Sequence, residues 1–387
     1  MKNIKKLFTV TAVTLIAALT ISVLPAGVNS AQAATKNIKA LKFDSMIEKV
    51  VGESVLSDEE KDFLKNSFLT YQRAAQMLRR ADDLLNGAKY DADFYDRVVS
   101  YGRISDRKKA SNKQMKKDLT ICFIKGIMIG KSNGKYSQSR KLSPKSKVLL
   151  SDANLFIKRL KNKKSRIKLT WDGQVTRKTN LPKNYKQFPY ILASFPNSFY
   201  EIKFDYDNYL DGRPAASRNP KETQTGNVYK EMLSNWETWE KVIATNLKCR
   251  LNYNYKSTDF NKWARTLCET YAGSSELVMP EIKAYRRWAK AAKTKIKSSK
   301  IVVEPSGLYC SDTADYYLRC LVRFRVDAKQ VVSADSNDQN ELIQGVNTYI
   351  PGLKNRTWTN LVIDVPVCFL TSGEMKVSGS SFVKAGY

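Results

Sequence analysis

Residues 125–160 read KGIMIGKSNGKYSQSRKLSPKSKVLLSDANLFIKRL. Gly126, Gly130 and Gly134 fall four residues apart in a segment with no other regular pattern. That spacing predicts backbone at positive φ or in close approach, not a helix interior. Upstream, Met115, Leu119, Cys122 and Phe123 recur at helical spacing, with Asn112 placed to cap the helix and Gly126 placed to end it. Downstream, Ser143-Pro144 is a capping residue followed by proline at the first helical position. It predicts a helix from Lys145 to Leu160 that buries Leu149, Ala153, Phe156, Ile157 and Leu160. The expected unit is helix, glycine-punctuated loop ending near Tyr136, helix.

That order resembles the S-layer homology module of bacterial surface proteins, over about 55 residues from Ser105 to Leu160. A partial second match lies upstream, where Leu69-Thr70 leads into Ala74, Met77, Leu78, Ala81 and Leu85 before Gly87. The family carries Ile-Thr-Arg-Ala-Glu at the start of its second helix. The aligned residues here are Leu69, Thr70, Tyr71, Gln72 and Arg73 in one copy and Leu142, Ser143, Pro144, Lys145 and Ser146 in the other, so the family arginine is absent from both. The resemblance implies a helical fold and, as ligand, a secondary cell-wall polysaccharide. Residues 181–192, LPKNYKQFPYIL, are similar to a segment that follows such modules in some clostridial-type surface proteins.

The chain opens with Lys2, Lys5 and Lys6, an uncharged apolar run from Leu7 to Leu24, and a small-x-small site at Ala31-Gln32-Ala33. This is the pattern of a secretory leader cleaved after Ala33. The 387 residues carry 66 basic against 37 acidic side chains, a net charge of +29, which removal of the leader lowers only to +26. Such a surface attracts polyanions. Outside a cell these are phosphate- or carboxylate-bearing wall polymers, so an anionic cell-wall polysaccharide is the expected partner and a specific nucleic acid is not. There is no histidine. That excludes Ser/His and Cys/His nucleophile arrangements and the commonest metal ligand. The six cysteines contain no Cys-x-x-Cys pair, and no cofactor is expected. Asp91, Asp93 and Asp96 lack the glycine and glutamate of a calcium loop and are expected to form a solvated helix start or turn.

Beyond the glycine loop, Lys158, Arg159, Lys161, Lys163, Lys164, Arg166 and Lys168 form the densest basic run. Tyr185, Phe188, Tyr190, Phe195, Phe199 and Tyr200 follow; packing against a neighbouring domain is the favoured role for these rings, ahead of a platform for sugars. Three helical patterns then appear. The first sets Tyr229, Met232, Leu233, Trp236, Trp239, Val242 and Ile243 on one face; the second is capped at Thr258-Asp259. The third opens at Pro280, with Arg286, Arg287, Lys290, Lys293, Lys295 and Lys297 outward. Four strands are expected at Ile301–Tyr309, Tyr316–Val332, Leu342–Leu353 and Thr357–Leu370. Alternation in the second of them predicts a basic row of Arg319, Arg323 and Arg325 on the sheet surface.

The expected organisation is multidomain. A leader (1–33) precedes an α-helical S-layer-homology-like region (34–172, best module 105–160). An aromatic and proline-rich connector (173–225) leads to an α+β domain (226–387) of three helices followed by a four-stranded antiparallel sheet, topologically like nuclear-transport-factor-2-like folds. The expected function is non-covalent, non-enzymatic association with the wall, through Lys161, Lys163, Lys164 and Arg166 and through the arginine row. A wall-polysaccharide hydrolase using two carboxylates is the alternative, with Glu269, Glu276 and Glu281 as candidates.

Overall fold

The structure is a computed structural model, and it describes residues 36–204, 218–311, 315–329, 343–345, 350, 353–379 and 383–384. Ala31 and Ala33, and most of the expected strand at 342–353, lie outside the described residues. No helix among the described residues is long and apolar enough to cross a membrane. The fold is mixed α+β, a helical N-terminal region followed by helices and an antiparallel sheet. It divides into two compact units. The first runs to Tyr90 and takes in Asp106–Met128 and Leu142–Arg166; the second holds Asp91–Ser105, Ile129–Lys141 and everything from Ile167.

The first unit contains α1 (Ala40–Val51), α2 (Asp58–Leu64), α3 (Tyr71–Asn86), α5 (Lys113–Ile124) and α6 (Leu150–Lys161), while α4 (Ala92–Ser100) belongs to the second. Three short extended segments tie its helices together. Ile38 N–H donates to the Val148 carbonyl (3.0 Å), Val148 N–H to that of Leu69 (2.8 Å), and Leu69 N–H to that of Ile38 (3.0 Å), closing a ring. Three further bonds link the same segments in the opposite sense, from N–H groups two residues further on to carbonyls two residues before: Ala40 to Ser67, Tyr71 to Ser146 and Leu150 to Lys36. The three segments are therefore equivalent, each pointing a buried aliphatic side chain inward and each running into a helix, α1, α3 or α6. Phe43, Ala74 and Ala153, five residues beyond the ring in each copy, lie on the buried faces where these helices pack pairwise.

This ring corrects the expected start of α6. Ser143 has φ +51°, and the Asp106 carboxylate accepts the N–H groups of Leu142 (3.0 Å) and Ser143 (2.8 Å), making a turn there. Ser146–Leu149 is then held extended by the ring, so the helix begins only at Leu150 and Leu149 is its cap position. The residue equivalent to Ile38 and Leu69 is accordingly Val148, not Leu142. Local signals did hold elsewhere: Ser57 and Glu60 form a capping box on α2, Asn112 caps α5, and Asp91 caps α4 as the solvated helix start expected there. At the end of α5, Gly126 N–H bonds the Phe123 carbonyl and Ile127 N–H that of Cys122, with Gly126 at φ +68°. This is a Schellman close, which needs a left-handed residue at the position glycine occupies.

In the second unit, the glycine loop contains a two-residue hairpin, β1 (Lys131–Ser132) with β2 (Arg140–Lys141). After two four-residue helical turns (Asn197–Tyr200 and Pro220–Thr223) come the longer helices α7 (Gly226–Leu251), α8 (Phe260–Cys268) and α9 (Ser275–Ala291). The sheet has the order β3 (Tyr253–Asn254), β4 (Lys295–Cys310), β5 (Tyr316–Asp327), β6 (Thr359–Phe369), β7 (Met375–Val377), all antiparallel, with β8 (Val383–Lys384) paired to β6 off that path. One face, through Leu318, Cys320, Val322, Phe324 and Val326, packs on the helices and on Met232, Trp236, Trp239, Ile243 and Leu247 of α7. Tyr229 and Leu233, expected on that helix face, are exposed instead. On the opposite face, Val302, Tyr309 and Leu321 lie under Phe188, Ile191, Leu192, Phe195, Phe199, Tyr200 and Phe204. The aromatic connector is thus a packing layer of the sheet.

Two expected helix bounds change. Pro280 lies inside α9, which starts a turn earlier after Ser274 and forgoes one backbone bond where proline has no N–H. The same helix ends at Ala291, so Lys295 and Lys297 lie on β4 and not on the helix surface. Beta-bulges shape β4. At the second, Glu304, Pro305, Ser306 and Gly307 stand opposite Arg319 alone. A Cβ on Gly307 would fall 2.7 Å from that of Arg319, so only glycine fits.

Candidate polyanion-binding surface

The connector covers only part of its sheet face. Beyond its edge, β4 and β5 set Lys300 opposite Arg323 and Lys297 opposite Arg325. The bulge makes this possible. Ser298 pairs with Phe324 and Lys300 with Arg323, leaving Ser299 as the extra residue. In an unbulged strand Ser299 would face Arg323 and Lys300 would turn to the helix side. The insertion therefore brings Lys297 and Lys300 to the same face as Arg323 and Arg325.

Like charges directly across a strand pair repel. None of the four is paired with a carboxylate among the described residues. Lys297, Arg323 and Arg325 are exposed, and Lys300 is half-buried. Burial first, and then the charge of Arg323, push the Lys300 ammonium below its usual range. Its Nζ donates to the Lys135 carbonyl at 2.6 Å and lies 5.7 Å from the Tyr136 ring centre; Arg323 lies over Trp358 at 5.1 Å. Two strands thus present four cations flanked by two aromatic rings. On the same face Asp327 is taken by Arg356 at 3.0 Å.

The expected arginine row is corrected at one position. Arg319 shares the face with Arg323 and Arg325 but is fully buried beneath the connector. Its Nε and Nη2 clasp the two oxygens of Asp364 (2.9 and 2.8 Å), and Nη1 and Nη2 reach the carbonyls of Ile202 and Lys203. It anchors the connector and is not available to a ligand.

Arg166 is corrected in the same way. Its Nη2 is 2.5 Å from Asp82 Oδ1, its Nε donates to the Arg159 carbonyl, and Lys125 binds the other oxygen of Asp82. Burial opposes ionisation of Asp82, but the two cations hold its carboxyl below the usual range. Arg159 bonds the Ile127 carbonyl. Of the basic run, Lys158, Lys161, Lys163, Lys164 and Lys168 remain exposed, the first four of them at the end of α6 and on the short turn after it. Gly126, Gly130 and Gly134 all have positive φ, and so does Tyr136, whose ring meets Phe195 (5.4 Å) and Phe199 (6.3 Å) edge-on.

Glu269, Glu276 and Glu281 are exposed. The carboxylates that do converge are Asp172 and Glu304, both fully buried and bridged by Gln174 Nε2 at 2.9 and 3.0 Å. Glu304 also accepts from Gln138 (3.1 Å) and Ser306 N–H (3.1 Å), and Asp172 from Arg103 and Thr170. Burial, and then the Asp172 charge, push the Glu304 carboxyl up to about 7. This network pins the 170–174 turn to the β4 bulge. None of the six cysteines is in a disulfide, and no cluster of metal-ligating side chains occurs among the described residues. No protein-family model, curated protein or solved structure matches the chain.

Proposed function

We propose that this chain is an exported, non-enzymatic cell-surface protein that holds anionic cell-wall polymers without covalent attachment. The observation that carries this is the bulged basic face. Sheets avoid stacking Lys300 on Arg323 and Lys297 on Arg325, because an unliganded pair of like charges destabilises the ladder. A polymer bearing regularly spaced phosphate or carboxylate groups relieves that repulsion on binding. Lys161, Lys163 and Lys164 supply a second cationic patch, on the first unit. The threefold recurrence of extended segment and helix in that unit supports reading it as repeated helical modules resembling S-layer homology modules. A hydrolase has less support, since Asp172 and Glu304 are sealed from solvent and saturated with hydrogen bonds. The test is sedimentation of the exported protein with isolated walls before and after extraction of their secondary polymers. Retention on intact walls and loss on extracted ones is expected; equal retention on both overturns the proposal.

A further inference from the structure

Beside the basic face, at the outer edge of β4, is a cavity of about 440 Å³. It is lined by Lys248 and Cys249 from the end of α7, Asn252, Trp263, the bulge residues Ser298 and Ser299, Lys300 and Ile301. We infer that this cavity is a subsite for one phosphorylated hexose unit of the polymer held on the sheet face. The inference rests on the proposed function and adds the chemistry of the repeat unit.

The lining fits that class of ligand. Two lysines and no carboxylate line the cavity, which selects an anion. The carbonyls of the two α7 residues that line it are already satisfied: that of Lys248 accepts from Asn252 Nδ2 (2.9 Å) and that of Cys249 from Trp263 Nε1 (2.8 Å). Ser298 Oγ accepts from Asn252 (2.7 Å), leaving its own proton to donate to a sugar hydroxyl, and Ser299 is exposed beside it. Trp263 and Ile301 give the lining apolar surface for the C–H face of a pyranose. Trp263 is fixed by stacking on Tyr285 at 5.9 Å, so this part of the lining is preformed. The volume is within the usual range for small-ligand sites. Lys300 belongs to both the cavity and the basic face, so a chain lying on Lys297, Arg323 and Arg325 runs directly into it.

The test compares binding of the exported protein to a hexose-phosphate oligomer and to linear polyphosphate with the same number of phosphates. Both engage the sheet face, but only the first fills the cavity. One or two net hydrogen bonds to the sugar predict a preference of roughly tenfold for the hexose oligomer. Ser299→Phe, which fills the cavity without changing charge, should abolish the preference and leave polyphosphate binding and melting intact. Lys248→Gln, at an exposed helical position, should reduce the same ratio should the bulge tolerate no aromatic ring. If wild type binds both oligomers equally, or both variants keep the full preference, the subsite is overturned while the basic face stands. If wild type binds neither, the proposed function fails and the subsite with it.

Discussion

Replacing Glu304 by glutamine should change how stability depends on pH. In the folded chain this carboxyl is pushed up to about 7 by burial and by Asp172, from an ordinary value of 4.5. A group whose folded value is raised stabilises most while it stays protonated in both states. Its contribution is full below pH 4.5 and is lost as pH rises through 7. The shift corresponds to about 3 kcal/mol across that window. Glutamine carries no charge and loses nothing as pH rises. It does place an NH₂ where the carboxylate now accepts from Ser306 N–H or from the Gln138 and Gln174 amides, a fixed cost of about 1 kcal/mol. Urea unfolding at pH 5, 6, 7 and 8 should therefore find Glu304→Gln less stable than wild type at pH 5 and as stable or more stable at pH 8. Parallel pH profiles for the two proteins would refute the account of this network.

Gly134 has φ +111° and open space around its missing Cβ, so Gly134→Val isolates backbone strain and should lower stability by about 1–2 kcal/mol, read as an earlier thermal melt. Arg166→Gln removes one of the two cations on the buried Asp82 and should cost about 2 kcal/mol by denaturant titration. Changing Lys161, Lys163 and Lys164 to glutamine should leave melting unchanged while weakening adsorption to isolated walls at low salt. A loss of stability in the triple lysine variant would show that those side chains are structural after all.

What was legible in the sequence was set by neighbours three or four residues away. Ser57, Asn112 and Asp259 cap helices because each bonds an N–H within its own first turn, and Gly126 closes α5 for a reason contained in its own φ. The start of α6 was not legible in the same way. Ser143-Pro144 has the local form of a helix start, but Ser146–Leu149 is claimed by segments near Ile38 and Leu69, more than 75 residues upstream in the nearer case. Period two correctly put Arg319, Arg323 and Arg325 on one face, but what covers that face is decided by the connector and by Asp364, 45 residues further on. The same distance hid Lys297 and Lys300. A helical reading of the charge pattern ran past Ala291 into β4, and the bulge at Ser299 that brings both lysines beside the arginines leaves no composition signal beyond a pair of serines. The sequence signal that bears on a partner is the charge, +29 over the 387 residues, which favours an anion but does not say where one would bind.

The most direct measurement is the salt dependence of binding to purified walls, for wild type and for a variant with Lys297, Lys300, Arg323 and Arg325 changed to glutamine. The cations are opposite one another across the strands and unpaired with carboxylates among the described residues, so wild-type affinity should fall steeply between about 0.05 and 0.2 M salt as screening and ion release act on them. The variant should bind more weakly at low salt, show a flatter dependence, and melt no earlier, because relieving the cross-strand repulsion removes a cost. Identical binding curves for the two proteins across that range would contradict the account.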